Sequence, residues 1–213
     1  MSNKKSRLEQ KMETRQNIIN AAFRCLDAEK SLSSVSLREV AREANIAPTS
    51  FYRHFKDIDE LGLTLVDEAG LALRQLMRSA RKRITHDVSA IETSVDTFME
   101  FIAEHKNVFR VLLREHTGTS AGFRSAVLRE IHHFTKELSD YIVLREKTAK
   151  GLADLQAEAM VKIVFSAGAE ALDADPEQAL IIAKKVKQQL MLVQLGAKHF
   201  TPKEQKARDK SSL

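Results

Sequence analysis

Hydroxyl-bearing and cationic side chains cluster between residues 48 and 56. Side chains of these types donate hydrogen bonds to phosphate oxygens and to the polar edges of nucleic-acid bases. Phe51 and Phe55 are four residues apart, so on a helix they share one face and leave the polar residues on the other. The polar residues are Thr49, Ser50, Tyr52 and Arg53.

Two short helices joined by a tight turn are predicted around these residues. Ser36 and Glu39 have the spacing of a capping box, so a helix is expected from Leu37. Asn45 follows, and asparagine tolerates the left-handed backbone of a tight turn. Pro48 has the fixed φ of a first helical position, which starts the second helix. The arrangement predicts a helix-turn-helix whose second helix enters the major groove of DNA.

The order of polar and apolar residues in SLREVAREANIAPTSFYRHF, residues 36–55, resembles the DNA-binding signature of TetR-family repressors. Asn45 stands where that family most often has glycine, which is a conservative change. Ile58 stands where the family often has a phosphate-binding lysine. We therefore expect Lys56 to be the cationic anchor at this end of the interface.

Phosphate contacts are expected from Tyr52, His54 and Lys56. His54 suits an inward-facing position equally well. The remaining polar residues of the second helix are expected at or near base edges, and Pro48 at a thymine methyl group. The predicted DNA-binding residues are Ser36, Arg38, Pro48, Thr49, Ser50, Tyr52, Arg53, His54 and Lys56.

The charge distribution supports the same interpretation. Residues 1–56 carry 11 Lys and Arg against 6 Asp and Glu, whereas residues 57–213 carry 23 of each sign. The net charge of +5 therefore lies wholly in the N-terminal part. A basic module of this kind is typical of a nucleic-acid binder whose affinity falls as salt rises.

Cysteine content and hydropathy limit the cellular setting. The single cysteine, Cys25, excludes an intramolecular disulfide, and its apolar neighbours favour a buried, inert thiol over a redox sensor. No apolar stretch has the length of a signal peptide core or a membrane span. We expect a cytoplasmic protein with no membrane partner.

Long segments with helical periodicity, together with few Pro and Gly, predict an all-α fold with a three-helix helix-turn-helix head and a helical body. We expect a flexible basic arm over residues 1–12, the DNA-binding domain over 13–57, the ligand-binding and dimerisation domain over 58–200 and a disordered tail over 201–213. A helix over residues 58–84, about 40 Å long and opened by Asp57 with Glu60, is expected to join head and body.

Three further helix boundaries are expected. The first helix is expected from Thr14, where the helical spacing of apolar residues begins. The polar residues 145–151 are expected to separate the last two helices from the rest of the body. Asp175 and Pro176 are expected to begin the last helix, as its cap and its first residue.

The apolar residues of the body fit a packed core, and by analogy with sensor proteins they also suit an apolar ligand. Four basic residues, Arg78, Arg81, Lys82 and Arg83, end the long helix. A solvated helix end is the preferred interpretation of this cluster, and a site for a ligand's phosphates is the alternative. The predicted ligand-binding residues are Leu73, Met77, Phe98, Phe101, Phe109, Leu112, Phe134 and Phe165.

The last two predicted helices carry apolar residues on more than one face, which favours a homodimer built on a four-helix bundle. A glycine inside the first of them is expected to allow a close helix approach. The predicted dimerisation residues are Val161, Val164, Gly168, Leu172, Leu190 and Val193.

Enzymatic and metal chemistry are weakly supported. Residues 118–122, GTSAG, match the pattern of a hydrolase nucleophile elbow, but the preceding residues lack the strand this motif needs. A turn capped by Thr119 or Ser120 is preferred. His132 and His133 are adjacent on a helix, so their side chains diverge. We expect no catalytic residue, no metal and no cofactor.

Several stretches of the body, including TFMEFI, FRVLLREHTGTSAGFR and EAMVKIVFSAGAEALD, resemble the TetR branch that contains the FabR and DesT repressors. This resemblance implies a homodimer on a palindromic operator that represses unsaturated fatty-acid synthesis genes. The implied effectors are long-chain acyl thioesters, acyl-CoA or acyl-carrier protein, with unsaturated chains favouring DNA binding and saturated chains opposing it. The alternatives are a TetR-like repressor of another apolar ligand, such as a drug or signal molecule, and a helical esterase using Ser120.

Overall fold

The computed structural model describes residues 6–27, 30–84, 89–114 and 120–200. Within these ranges the chain forms nine α-helices and a short 3-10 helix, Leu32–Ser34, with no strand, which confirms the all-α class. The helices are α1 Arg7–Arg24, α2 Leu37–Glu43, α3 Pro48–Phe51, α4 Ile58–Arg83, α5 Ala90–Glu104, α6 Lys106–Arg114, α7 Ala121–Glu146, α8 Lys150–Ala171 and α9 Pro176–His199.

Helix α1 begins earlier than its apolar pattern indicated. The Ser6 hydroxyl accepts from the Glu9 amide at 3.2 Å, and the Glu9 carboxylate accepts from the Ser6 amide at 2.7 Å. This capping box starts the helix at Arg7, so the prediction of a flexible arm is wrong for residues 7–12. The start of the predicted arm and the predicted tail, residues 201–213, lie outside the described residues.

Helix α4 connects the head to the body. The Asp57 carboxylate caps it by accepting from the Glu60 amide at 2.8 Å, as the sequence predicted. Its 26 residues make a rod about 40 Å long. It packs against α1 in the head and against α5, α6 and α7 in the body, with α7 beside it from Gly62 onward. Its buried residues, from Leu61 to Met77, belong to one apolar cluster that runs without a break from Ile18 in the head to Leu172 in the body.

A second contact joins head and body beside α4. Helix α1 also packs against α6, and the side chain of Phe23 on α1 is partly buried against the same apolar cluster as Val108 on α6. The head is therefore held to the body at two places.

The thiol of Cys25 is buried, as predicted. Burial raises its pKa, and the carboxylates of Glu39 and Glu43 add to the effect.

The end of α7 and the start of α8 lie closer together than predicted. A polar break was expected over residues 145–151, but α7 continues to Glu146 and α8 begins at Lys150. Lys147 makes the turn with a left-handed backbone at φ 54°. The final helix begins as predicted, because Pro176 occupies its first turn and the Asp175 carboxylate accepts from the Gln178 amide at 2.8 Å.

Gly168 in α8 is surrounded inside the chain. A Cβ atom at this position would lie 3.0 Å from the Phe98 ring and 3.1 Å from a Leu113 methyl group. The glycine therefore allows the close helix approach that the sequence predicted, but toward α5 and α6 of the same chain.

Replacing this glycine tests the packing. We expect Gly168→Val to lower the free energy of unfolding by about 1–3 kcal/mol, because its methyl groups overpack the core. Gly151→Val is the control, since a Cβ at Gly151 meets no atom within 4 Å. The measurement is urea unfolding at several protein concentrations. Equal stabilities for the two variants would contradict this packing.

Candidate nucleic-acid interface and effector cavity

The first helix of the helix-turn-helix begins at its predicted cap. The Ser36 hydroxyl accepts from the Glu39 amide at 3.2 Å. The second half of the predicted capping box is replaced, because the Glu39 carboxylate accepts from the Lys30 ammonium group at 2.5 Å. This ion pair lowers the pKa of Glu39 and ties the residues before α2 to the helix.

The turn between α2 and α3 has the predicted backbone. Asn45 is left-handed with φ 54°, and the Ile46 amide donates to the Ala41 carbonyl at 2.9 Å. Asn17 on α1 adds a contact that the sequence did not reveal, because its side-chain amide donates to the Ala44 carbonyl at 2.8 Å. This bond ties α1 to the C-terminal end of α2.

Phe51 in α3 and Phe55 just after it anchor this segment, and both are buried as predicted. Regular helix ends at Phe51, and the chain continues its rotation through bonds from the Arg53 amide to the Ser50 carbonyl and from the His54 amide to the Phe51 carbonyl. The Arg15 guanidinium lies 4.5 Å from the centre of the Phe55 ring. This cation–π contact connects α1 to the end of residues 48–55, the recognition segment.

The polar face of this segment is open to solvent. Tyr52 is 62% exposed, its ring packing edge-on against Phe51 at 5.9 Å. Ser50 is half-buried, and the other residues of the predicted interface apart from His54 are exposed: Ser36, Arg38, Pro48, Thr49, Arg53 and Lys56. Their assignment to phosphates or base edges stays a prediction.

For His54 two positions were predicted, a phosphate contact and an inward-facing side chain. Its side chain is half-buried, and within the described part of the chain its Nδ1 atom has no hydrogen-bonding partner. Burial lowers the pKa of His54, and the positive charges of Lys11, Arg15 and Arg53 lower it further. A neutral imidazole at neutral pH contributes no charge to phosphate binding.

An apolar cavity lies in the body between α4, α5, α7, α8 and α9, with about 780 Å³ of empty space including its mouth. Of the predicted ligand-binding residues, Met77, Phe98 and Phe134 line it. The apolar character of a residue in the sequence does not show whether it lines the cavity or fills the core. The five that do not line it are Leu73, Phe101, Phe109, Leu112 and Phe165, and a role for them in ligand binding stays a prediction.

The predicted residues that do not line the cavity fill the core around it. Phe109 is fully buried, with its ring 5.9 Å from that of Phe98 and 5.7 Å from that of Phe101. Leu73 and Leu112 are likewise buried in this core, and Phe165 packs against Phe134 with ring centres 6.1 Å apart. These side chains support the wall from behind.

Polar residues on the cavity wall were missed by the sequence prediction. Gln156, Tyr141 and Arg81 all line it. The guanidinium of Arg81 donates to the carbonyls of Met77 and Glu137, each at 3.1 Å. Burial lowers the pKa of Arg81, and the charge of Glu137 opposes that shift. The basic cluster at the end of α4 is therefore not uniformly solvated.

The predicted dimerisation residues are mostly internal. Val161, Gly168, Leu172 and Leu190 are buried within the single chain, so they cannot contact a second chain, and the prediction is wrong for them. Val164 lines the cavity, and Val193 is partly buried against the core beside α9. The large apolar side chains exposed on α8 and α9 are instead Leu155, Leu180, Ile181, Leu192 and Leu195.

Ser120 caps helix α7, which agrees with the interpretation of residues 118–122 as a capped turn. Its hydroxyl accepts from the Phe123 amide at 3.4 Å. The preceding residues 115–119 lie outside the described part of the chain.

Among described residues, no three His, Cys, Asp or Glu side chains are grouped as metal ligands. None of the described helices is both long and apolar enough to cross a bilayer.

The state of His54 predicts a pH dependence of stability. Because its pKa is lowered in the folded protein, the unfolded chain binds a proton that the folded chain does not. The stabilisation is present above the ordinary pKa of about 6.5 and is lost as the pH falls below it. We expect urea unfolding to show a steeper loss of stability from about pH 7 to about pH 5 for wild type than for His54→Gln. Parallel profiles would contradict the burial of a neutral His54.

Two family models match the chain. The model for bacterial regulatory proteins of the tetR family matches residues 18–63, which include the helix-turn-helix. The model for the tetracyclin repressor-like C-terminal domain matches residues 88–196, about half of the chain and most of the helices around the cavity.

Solved structures share the fold. A TetR-like transcriptional regulator from Rhodococcus sp. RHA1 is 16% identical, with a TM-score of 0.68 over 91% of this chain and 100% of that chain. A TetR-family regulator from Streptomyces coelicolor is 21% identical, with a TM-score of 0.68 over 85% and 94%. The regulator FadR from Bacillus subtilis, solved with stearoyl-CoA, is 14% identical, with a TM-score of 0.61 over 82% and 96%.

These matched structures are transcriptional regulators. Both parts of the chain, the head with its exposed recognition segment and the helical body with its cavity, match family models of such regulators. The chain belongs to the TetR family of DNA-binding transcriptional regulators.

Proposed function

We propose that this protein is a homodimeric repressor of unsaturated fatty-acid synthesis genes whose affinity for a palindromic operator is changed by long-chain acyl thioesters, acyl-CoA or acyl-carrier protein. The observation that carries the proposal is that α4 extends from the DNA-binding head to the wall of an apolar cavity. Ligand and operator therefore act on the same helix.

The cavity suits an acyl chain in its lining, which is mostly apolar with a few polar groups, as is usual for sites that bind apolar ligands. Phe98, Phe134 and Val161 form an apolar wall, and all three are almost fully buried. The complex of Bacillus subtilis FadR with stearoyl-CoA adds support from a protein of the same fold.

Helix α4 transmits the response. Met77 and Arg81 on α4 face the cavity, while Leu61 near its start belongs to the core that α4 shares with the head. An acyl chain that moves the cavity end of α4 changes the separation of the two recognition segments in a dimer. Half-sites on DNA lie about 34–36 Å apart, so that separation sets operator affinity. Bent and straight chains shift the equilibrium only if each prefers a different state.

The dimer is assigned to the outer faces of α8 and α9. Large apolar side chains are exposed along both helices, and apolar patches of this kind mark protein–protein contacts. They include Leu155 on α8 and Leu180, Ile181 and Leu192 on α9. Pairing of these two helices with their symmetry mates buries them in a four-helix arrangement.

Removing phosphate contacts tests the DNA interface. We expect Tyr52→Phe with Lys56→Ala to weaken operator binding and to reduce the slope of log affinity against log salt by about one, because one cationic phosphate contact is lost. Lys136→Ala on α7 is the control, since this exposed lysine lies in the body. The measurement is fluorescence anisotropy at several salt concentrations. An unchanged affinity and slope in the double variant would refute the phosphate assignment.

The effector is tested on a palindromic operator from upstream of a desaturase-type gene. We expect oleoyl-CoA to strengthen operator binding in fluorescence anisotropy and palmitoyl-CoA to weaken it. Val164→Trp, which fills part of the cavity, should bind DNA normally and lose both responses. Tight DNA binding that is indifferent to both thioesters would retain the repressor and reject the fatty-acid ligand, leaving another apolar compound as effector.

A further inference from the structure

Gln156 is an unusual residue on the cavity wall. It is 4% exposed, it lines the cavity, and neither its Nε2 nor its Oε1 atom has a hydrogen-bonding partner in the described part of the chain. A buried polar group left unpaired destabilises the fold. No described residue offsets this cost, so the Gln156 amide is available to a molecule bound in the cavity.

The fold does not require a polar residue here. Gln156 lies on the buried stripe of α8 with Ala153, Ala157 and Met160 as its neighbours at helical spacing. An apolar side chain of similar size would complete this stripe without an unpaired amide. The glutamine is thus better explained by something it binds than by the packing of α8.

Tyr141 places a second polar group on the same wall. Its hydroxyl is buried and has no partner among the described residues, although the ring itself lies under the Arg81 guanidinium at 5.6 Å. A phenol donates one hydrogen bond and accepts others. Together, Tyr141 and Gln156 provide both donors and acceptors inside a mostly apolar cavity.

Arg81 leaves positive charge beside these groups. The Glu137 carboxylate is held by Arg78 through two hydrogen bonds, at 3.0 and 2.5 Å. The distance from that carboxylate to the Arg81 Nη2 atom is 3.8 Å, too long for a hydrogen bond. One carboxylate therefore faces two guanidinium groups, and Arg81 is the one that lines the cavity.

The polar groups and the aromatic wall occupy different levels of the body. A 2.6 Å hydrogen bond from the Ser139 hydroxyl to the Asp154 carboxylate puts Tyr141 and Gln156 near one level of α7 and α8. The contact between Phe134 and Phe165 marks a level closer to the head. A ligand with its apolar chain at the aromatic level thus carries a polar group at the other.

The chemistry of Gln156 selects that polar group. A carboxylate accepts hydrogen bonds but donates none, so it would leave the Gln156 carbonyl oxygen unpaired. A secondary amide donates to that oxygen and accepts from the Gln156 amino group. In a pantetheine thioester the first such amide follows the sulfur after two methylene groups, which places it directly beyond the acyl chain.

We propose that Gln156 and Tyr141 bind the first amide of a pantetheine thioester, so that the effector enters the cavity past its sulfur atom and is distinguished from a free fatty acid. The proposal rests on the acyl-thioester function put forward above. It assigns hydrogen-bonding roles to two residues and a general electrostatic role to Arg81.

Two thioesters that differ only in this amide test the proposal. S-oleoyl-N-acetylcysteamine carries it, and the S-pentyl thioester of oleic acid replaces it with methylene groups in a chain of the same length. Binding of each, and of oleoyl-CoA, is measured by isothermal titration calorimetry on the full chain. We expect wild type to bind the amide probe about 10-fold more tightly, the effect of two modest hydrogen bonds.

Variants separate recognition from packing. Gln156→Leu should lose most of the 10-fold preference, because Tyr141 alone remains to bind the amide, and Gln156→Leu with Tyr141→Phe should bind both probes equally. Gln156→Leu should melt no lower than wild type, because the buried unpaired amide is gone. Gln194→Leu is the matched control: it also lines the cavity, but its amide already donates to Glu146 at 2.5 Å, so the 10-fold preference should persist.

Each contrary result has a distinct meaning. Equal binding of the two probes by wild type would overturn the amide site and leave the acyl-thioester function standing. A 10-fold preference for the amide probe that survives unchanged in Gln156→Leu would overturn the assignment to this residue. Failure of all three thioesters, oleoyl-CoA included, to bind wild type would overturn the proposed function and this inference with it.

Discussion

The apolar face of α4 is buried by α1 in the head and by α5, α6 and α7 in the body. Burial of one face along about 40 Å places the residues that hold the recognition segment and those that line the cavity in one packed unit. Packed interiors shift between discrete arrangements and do not deform smoothly. A change at Met77 therefore reaches the head as a displacement of the whole helix. The recognition segment, the cavity and the proposed response all depend on this shared core.

Features set by neighbours in sequence were predictable. Asn45 in the turn, the Asp57 cap of α4 and Pro176 at the start of α9 are specified by a few adjacent residues, and the structure has each of them as predicted. The capping box at Ser6 was an equally local signal, overlooked because polar residues surround it. The helix-turn-helix is recognisable for the same reason: it is built almost wholly from local hydrogen bonds and one helical face.

Features set by distant contacts were not predictable. Apolar residues cover more than one side of α8, and only the positions of α5, α6, α7 and α9 decide which side becomes core. Gly168 and Leu172 were therefore assigned to a partner chain although they pack inside their own. The cavity posed the same difficulty, because wall and core have the same apolar composition. Gln156 was the available signal, a polar residue at a buried helical position, and it points to the chemistry of the cavity more directly than any phenylalanine.

The contact between α1 and α6 limits how the head can move. A head attached through α4 alone would be free to tilt in any direction. Because Phe23 also packs against the cluster that contains Val108, the head is held at two separate places, which leaves it fewer ways to tilt. In the proposed dimer a twofold axis relates the two heads, so a displacement of one recognition segment is matched by the same displacement of the other.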